Sequence, residues 1–270
     1  MAKTAANTNG KPVALITGGS DGIGYELAHQ FGGNGYDLII VADNKEKLEA
    51  AAAKLTRAQG NPRVETIAID LSKMGASQKL FEKVETIGRE VEILVSNAGI
   101  GVYGDFANET DMEQESEMMH LNVISVAETC KLFVKPMVQR GRGKILITSS
   151  VAGVTGTPNM TVYGATKAFD FKFAEGLRQE VAERGVTVTA LLPGMTETNF
   201  FKRADMENTE GVKKAKKDDS WDDPADVAKQ AFDALMANKD HVVASLKNKA
   251  QVAMAKIMPA ETLAKQAKMK

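Results

Sequence analysis

Six short runs of β-branched and aliphatic residues recur along the chain, separated by longer stretches of helical periodicity. They are VALIT from residue 13, DLIIVA from 37, VETIAI from 64, EILVS from 92, GKILIT from 143 and VTVTALL from 186. Several are apolar at nearly every position, which suits parallel strands covered on both faces. Between them, KEKLEAAAAKL and SQKLFEKVETIG place apolar residues three and four apart, on one helix face. Strand and helix in alternation predict an α/β fold built on a doubly wound parallel sheet. Right-handed crossovers then fix the side of the sheet that each helix takes.

A chain of 270 residues can hold one large α/β domain or two small ones. No Pro/Ser-rich linker divides this one, so a single domain is expected over 1–270. It has a core at 11–203, a loop or lid with the last core helix at 204–240, and a helical tail at 241–270. From residue 204 the sequence ADMENTEGVKKAKKDDSWDDP is charged and fits a solvated cover over a site. A net charge of −1 supplies no broad field to attract nucleic acid or anionic lipid. No window approaches the roughly 18 apolar residues of a membrane span. The opening MAKTAANTNGK lacks the apolar stretch of a signal peptide.

Cys130 is the sole cysteine, which excludes an internal disulfide and fits a reducing compartment. It lies in an apolar-periodic stretch and reads as a buried structural thiol. His29, His120 and His241 share no short spacing with one another or with Cys130, so no metal site is expected. Together these features point to a cytoplasmic protein without a membrane or nucleic-acid partner.

Two local patterns carry chemistry. ITGGSDGIGYELA, residues 16 to 28, follows the first strand and opens a helix. Gly18, Gly22 and Gly24 allow a tight turn and a close ligand, and the free N–H groups of the helix N-terminus favour a pyrophosphate. No G-K-[ST] follows, which counts against a triphosphate P-loop. Further on, TVYGATKAF places Tyr163 one helical turn from Lys167. A fixed ammonium stabilises a phenolate and so makes the phenol a better acid. Gly164 costs a helix interior about 1 kcal/mol relative to alanine, so it is expected near the helix start, where backbone can approach.

Thr17-Gly18-x3-Gly22-x-Gly24, NAG at 97–99, Ser150, Tyr163-x3-Lys167 and Pro193-Gly194 occur in this order between residues 13 and about 200. The series resembles the short-chain dehydrogenase/reductase family. That resemblance implies a single Rossmann-type domain, an NAD or NADP cofactor, hydride exchange between an alcohol and a carbonyl, and a homodimer or homotetramer. Surfaces within 106–135 and 163–183 would form the interfaces. In the catalytic roles it implies, Ser150 orients the substrate oxygen and Tyr163 is the general acid or base. Lys167 lowers the tyrosine's pKa and reaches the nicotinamide ribose, and Asn122 holds a water behind the lysine. The thirteen-residue interval to Tyr163 favours Ser150 over Ser149.

The cofactor would lie against Gly18, Ser20, Asp21, Gly22, Ile23 and Gly24, with Asp43 and Asn44 at its adenosine ribose. Asp70 and Leu71 would be near the adenine, and Asn97, Ala98 and Gly99 beneath the adenosine half. Tyr163, Lys167, Pro193, Gly194, Thr196 and Thr198 would hold the nicotinamide end. Asp43, in VADN, can accept from ribose hydroxyls and repels a 2′-phosphate. Asn44 stands where NADP-preferring relatives usually carry arginine, and Asp21 where others carry a basic residue. These carboxylates favour NAD(H). The local roles are a helix cap or turn for Asp43 and Asp70, an Asx turn for Asp21 and a helix-internal bond for Asn122.

Residues 151–160, 101–103 and 195–201 should line the substrate side. Lys202 and Arg203 could meet an acidic group, which suggests a sugar-derived or keto-acid substrate. An apolar alcohol or ketone is the other reading. The rival functions are an NADP-dependent carbonyl reductase, a non-catalytic dinucleotide-binding regulator or scaffold, and an epimerase or dehydratase using the same Tyr and Lys.

Overall fold

A computed structural model of the chain describes residues 10–218, 220–255 and 257–267, without the side chains of 260 and 265–267. The polar opening before residue 10 lies outside the described residues. Seven strands form one sheet in the order β3-β2-β1-β4-β5-β6-β7. They are β1 (Val13–Thr17), β2 (Asp37–Ala42), β3 (Val64–Ala68), β4 (Val91–Ser96), β5 (Gly143–Thr148), β6 (Val186–Leu192) and β7 (His241–Val243). Every neighbouring pair is parallel. The chain order therefore reverses beside β1, where β2 lies on one side and β4 on the other. A crevice opens at the carboxyl ends of parallel strands at such a point.

The helices follow the strands: α1 (Gly22–Gly33), α2 (Lys45–Leu55), α3 (Ala76–Ile87), α4 (Met112–Met119), α5 (Ser125–Arg140), α6 (Thr161–Val181), α7 (Phe200–Arg203), α8 (Glu210–Lys217), α9 (Pro224–Met236), α10 (Leu246–Ala255) and α11 (Ala260–Ala267). One face of the sheet packs on α3, α5 and α6 through Leu80, Val84, Phe133 and Ala174. The other packs on α1, α2 and α9 through Leu27, Phe31, Leu48 and Phe232. Two buried faces explain why β1 and β2 are apolar at almost every position. The edge strand β3 is half exposed, and VETIA alternates accordingly.

α2 forms at Lys45–Leu55, over KEKLEAAAAKL, because Asn44 caps it: its side chain accepts from the Lys47 N–H at 2.9 Å. α4 and α5 are joined by a single wide π turn at His120–Ile124, so one nearly continuous helix carries Asn122 inward. Two expectations change. The sheet has seven strands, not six, and the segment from residue 241 opens with β7 before its helices. A three-residue strand is too short to leave a periodic signal. The charged stretch after residue 204 contains α8, which buries Val212 and Ala215 and exposes its lysines.

At the opposite end of the sheet from the crevice, Asp37 begins β2 and gathers three segments. Its carboxylate accepts from the Arg63 N–H at 2.8 Å and from Arg89 at 2.7 Å, and Arg89 also donates to the Lys11 carbonyl at 2.6 Å. Both side chains are largely buried, 16% and 12% exposed. Removing one partner of such a pair strands the other charge. Asp37→Ala should therefore destabilise the fold by about 3 kcal/mol, near the lower end for a buried pair because some solvent reaches it. Urea unfolding measures this, and an unchanged midpoint would contradict the clamp.

Candidate active site

The crevice is a cleft of about 620 Å³ at the carboxyl ends of β1, β2, β4, β5 and β6. Its floor is tied together by side chains. Thr17 Oγ1 accepts from the Asn97 N–H at 2.9 Å and the Ala98 N–H at 3.0 Å, and Asn97 Nδ2 donates back to the Thr17 carbonyl at 3.1 Å. The Thr148 hydroxyl donates to Asn97 Oδ1 at 3.2 Å, which adds β5 to the tie.

The glycine loop fits a dinucleotide on two counts. Gly18 has φ +66°, a conformation that L side chains rarely adopt. At Gly24 a Cβ would stand 2.1 Å from the Gly18 carbonyl oxygen and 2.5 Å from Asn97 Nδ2, so any side chain would push α1 off the loop. The N-terminus of α1 consequently faces the cleft, where its free N–H groups suit a pyrophosphate. Gly18, Ser20, Asp21, Gly22, Ile23 and Gly24 all line this end, as do Asp43, Asp70, Leu71, Asn97, Ala98 and Gly99.

The acidic groups have further partners. Asp21 caps α1 by accepting from the Gly22 N–H at 2.7 Å, and it accepts from Asn199 Nδ2 at 2.8 Å. Arg203 lies 3.4 Å from it. Asp43 is exposed, lines the cleft and accepts from the neighbouring Asn44 N–H at 2.8 Å. Asn44 is not among the residues that line the cleft, and its side-chain oxygen caps α2. Asp70 accepts from both the N–H and the hydroxyl of Ser72, at 2.9 and 2.7 Å. Burial works against its charge, yet these bonds and Lys73 outweigh it and hold the carboxyl below its usual range. α3 starts only at Ala76, so Asp70 stabilises a turn rather than that helix.

At the other end of the cleft, Ser150, Tyr163 and Lys167 come together, each less than a tenth exposed. Ser150 lies two residues past the end of β5, accepts from the Ala152 N–H at 3.1 Å to cap a short turn, and donates to the Pro193 carbonyl at 3.4 Å. Ser149 is turned the other way and donates to the Lys167 carbonyl at 2.7 Å. Tyr163 stands in the first turn of α6. Gly164 is there as well, where a Cβ would come 2.9 Å from the Thr157 hydroxyl. Lys167 Nζ donates to the Thr148 carbonyl and to Asp170 Oδ2, both at 2.9 Å.

The electrostatics differ in sign from the simple expectation. Burial is the largest influence on Tyr163 and pushes its phenol up; Lys167 and Ser150 pull it down by less, and Asp170 pushes it up again. The ammonium acts in the expected direction but does not win in the protein alone. Burial disfavours the charge on Lys167, yet Asp170 and Tyr163 together raise it above the ordinary lysine range. Asn122 lies outside the cleft, fully buried. It clamps residue 100 by accepting from Ile100 N–H at 3.0 Å and donating to its carbonyl at 2.9 Å, and it donates to the Thr166 hydroxyl at 3.1 Å.

Pro193, Gly194, Thr196 and Thr198 line the cleft after β6. Three residues that the sequence did not single out join them: Lys247, Asn248 and Gln251 of α10. Asn248 packs so close to Gly194 that a Cβ there would meet it at 2.3 Å. Asn248 Nδ2 donates to Asp222 at 2.7 Å, and Asp222 in turn bridges to the 195–197 backbone. No helix among the described residues is long and apolar enough to cross a membrane.

Residues 12–209 match the short chain dehydrogenase family. The very-long-chain 3-oxoacyl-CoA reductase of Anas platyrhynchos is 32% identical over 194 residues, which cover 70% of this chain and 61% of that protein. Nodulation protein G of Rhizobium sp. (strain N33) is 33% identical over 199 residues, 74% of this chain and 79% of that one. A short-chain dehydrogenase from Sphingobium yanoikuyae, solved in complex with NADPH, superposes with a TM-score of 0.79 at 28% identity over 92% of this chain and 96% of its own. The match spans about three fifths of the length of the acyl-CoA reductase. A reversing parallel sheet, a glycine cradle at its switch point and a buried Ser-Tyr-Lys cluster thus coincide with a family match over most of the chain, and the protein belongs to the short-chain dehydrogenases, oxidoreductases that use a nicotinamide dinucleotide.

Proposed function

We propose that this protein is an NAD(H)-linked oxidoreductase that interconverts an alcohol and a carbonyl on a bulky, apolar carbon frame. The observation that carries the reading is one continuous cleft with the glycine cradle at one end and Ser150, Tyr163 and Lys167 buried at the other. A non-catalytic dinucleotide sensor needs the first and has no use for the second. The glycine loop and the α1 N-terminus would hold the pyrophosphate, Asp43 the adenosine ribose, and Lys167 with the 193–198 loop the nicotinamide end. When bound, the nicotinamide supplies or accepts the hydride.

The chain's own residues handle the oxygen. Ser150 donates to the carbonyl oxygen and fixes its position beside the phenol. Tyr163 gives its proton to that oxygen in reduction and takes one back in oxidation. Burial raises its pKa, so a cation near the ring is needed before a phenolate becomes accessible. Lys167 is fixed in place by the Thr148 carbonyl, so it contributes that charge without reorganising.

The substrate side favours an apolar compound. Ile100, Val151, Ala152, Met160, Met195 and Phe200 line it, and the Phe200 ring centroid is 5.2 Å from that of Tyr163. Of the two basic residues that suggested an acidic substrate, Arg203 lines the cleft but is paired there with Asp21 of the glycine loop, and exposed Lys202 borders a separate hollow with Trp221 and Glu207. NADPH is the second reading for the cofactor. Arg203 supports it by partly offsetting Asp21, as does the NADPH in the Sphingobium yanoikuyae relative. Asp43, exposed and without an ion-pair partner among the described residues, weighs against a 2′-phosphate.

Tyr163→Phe should bind NADH with nearly unchanged affinity, followed by cofactor fluorescence, while kcat falls by at least about 10²-fold through loss of the proton donor. Turnover near the wild-type rate would end the acid/base assignment. With one substrate, kcat/KM for NADH should exceed that for NADPH by about tenfold or more, the factor that roughly 1.4 kcal/mol of charge repulsion gives. Equal or better use of NADPH would reverse the cofactor reading. Across a panel of ketones, sugars and keto acids, aryl and polycyclic ketones should be the best substrates, and a clear preference for keto acids would overturn the apolar reading.

A further inference from the structure

Lys167 is not the only charge buried behind Tyr163. Asp170, one turn further along α6, is 0% exposed, and its Oδ2 lies 2.9 Å from Lys167 Nζ. Its other oxygen, Oδ1, is buried with no hydrogen-bond partner among the described residues. A carboxylate kept for structure alone is normally satisfied at both oxygens, because an unmet buried charge is costly. Among the described residues, the Asp170 carboxylate bonds only the ammonium behind the phenol.

We propose that Asp170 is a positioning residue for Lys167. It holds the ammonium against the Thr148 carbonyl and cancels part of its charge, so that Tyr163 keeps its proton at neutral pH and acts chiefly as the acid of carbonyl reduction. Two of the lysine's three donors are taken, by Thr148 and Asp170, which leaves one for the cofactor ribose or the phenol. The ammonium's direction is therefore fixed before any ligand arrives.

The charges around the phenol support this. Lys167 and Asp170 act on Tyr163 with opposite signs, and burial adds to the effect of Asp170. Burial pushes the Asp170 carboxyl itself up and Lys167 pulls it back by less, and from α5 the buried Cys130 thiol is pushed up by burial and then by Asp170. α4 and the π turn, which also pack on α6, contribute buried Glu115 and half-buried His120. Of these groups, Asp170 alone is ion-paired to the lysine.

The inference rests on Tyr163 being the acid/base group, and the signs follow from that. Oxidation needs the phenolate and rises with pH through the tyrosine's pKa; reduction needs the phenol and falls through it. Asp170→Asn keeps the shape and removes the negative charge, which leaves Lys167 free to stabilise the phenolate. Both limbs of the pH–rate profile should move to lower pH by about one unit. If Asp170 only supports the fold, the variant melts earlier and the limbs stay in place, which would overturn the proposal.

A second measurement needs no folded variant at position 170. The tyrosinate absorbance of the wild-type NAD+ complex, minus that of Tyr163→Phe, should show Tyr163 still protonated at neutral pH. A phenolate already formed there would also overturn the proposal. Loss of activity in Tyr163→Phe with unmoved limbs in Asp170→Asn would leave the acid/base assignment standing and remove only the role of Asp170.

Discussion

The site depends on one small hydrogen-bonded tie across the carboxyl ends of β1, β4 and β5. Thr17, Asn97 and Thr148 bond one another through side chains. Each also supports something else. Asn97 Nδ2 sets how closely α1 can approach, since it is among the atoms a side chain at position 24 would strike. The Thr148 carbonyl receives the Lys167 ammonium. The cofactor cradle and the acid/base cluster are thereby fixed to the same three residues, so the distance between the two ends of the cleft is set by the sheet and not by loops. Adjacent parallel strands lie about 4.8 Å apart, and that spacing gives the cleft its scale.

Burial and charge oppose each other around Tyr163, and their sum decides the chemistry. Desolvation alone would give a phenol too weak to exchange its proton near neutral pH. The lysine opposes that effect without fully offsetting it, and burying an unpaired ammonium would itself be costly. With Asp170 beside it, Lys167 stays protonated, because the carboxylate restores what burial removes. Phe200 and Met160 then cover the phenol's outer side, and this exclusion of water makes each of the remaining charges count for more.

How much of this could be read in the sequence depended on how local the signal was. β1, β2, β5 and β6 each have five or more residues buried on both faces and stood out as apolar runs. Tyr163 and Lys167 share one helical turn, so their spacing was visible. β7 was missed because three residues carry no period. The cap that Asn44 places on α2 was not separable in the sequence from a ribose contact, because both call for the same residue type at the same place. Asp170 went unnoticed because a carboxylate three residues from a lysine is ordinary on exposed helices, and only the folded structure shows that both are buried. The net direction of the tyrosine's shift was equally hidden, because spacing reports the neighbouring cation and says nothing of solvent.

The C-terminal helix shows the same limit over a longer range. α10 reads as an amphipathic helix rich in lysine and alanine, yet Asn248 is buried against Gly194 at the nicotinamide end of the cleft. Asp222 joins the two. It bridges the 195–197 backbone, accepts from Asn248, and pairs with Lys247 at 3.3 Å, while Lys247 also bonds the Ser220 carbonyl. The loop after β6 has no regular structure of its own to hold it until α7, and these contacts replace one. The charged stretch that looked like a loose cover is therefore in part a brace: its Trp221 packs on Phe201 at a centroid distance of 4.7 Å, and its next residue anchors α10. The loop is thus held from two sides, at its nicotinamide end by Asp222 and Asn248 and at its substrate end by the packing of Phe200 on Tyr163 and of Phe201 on Trp221.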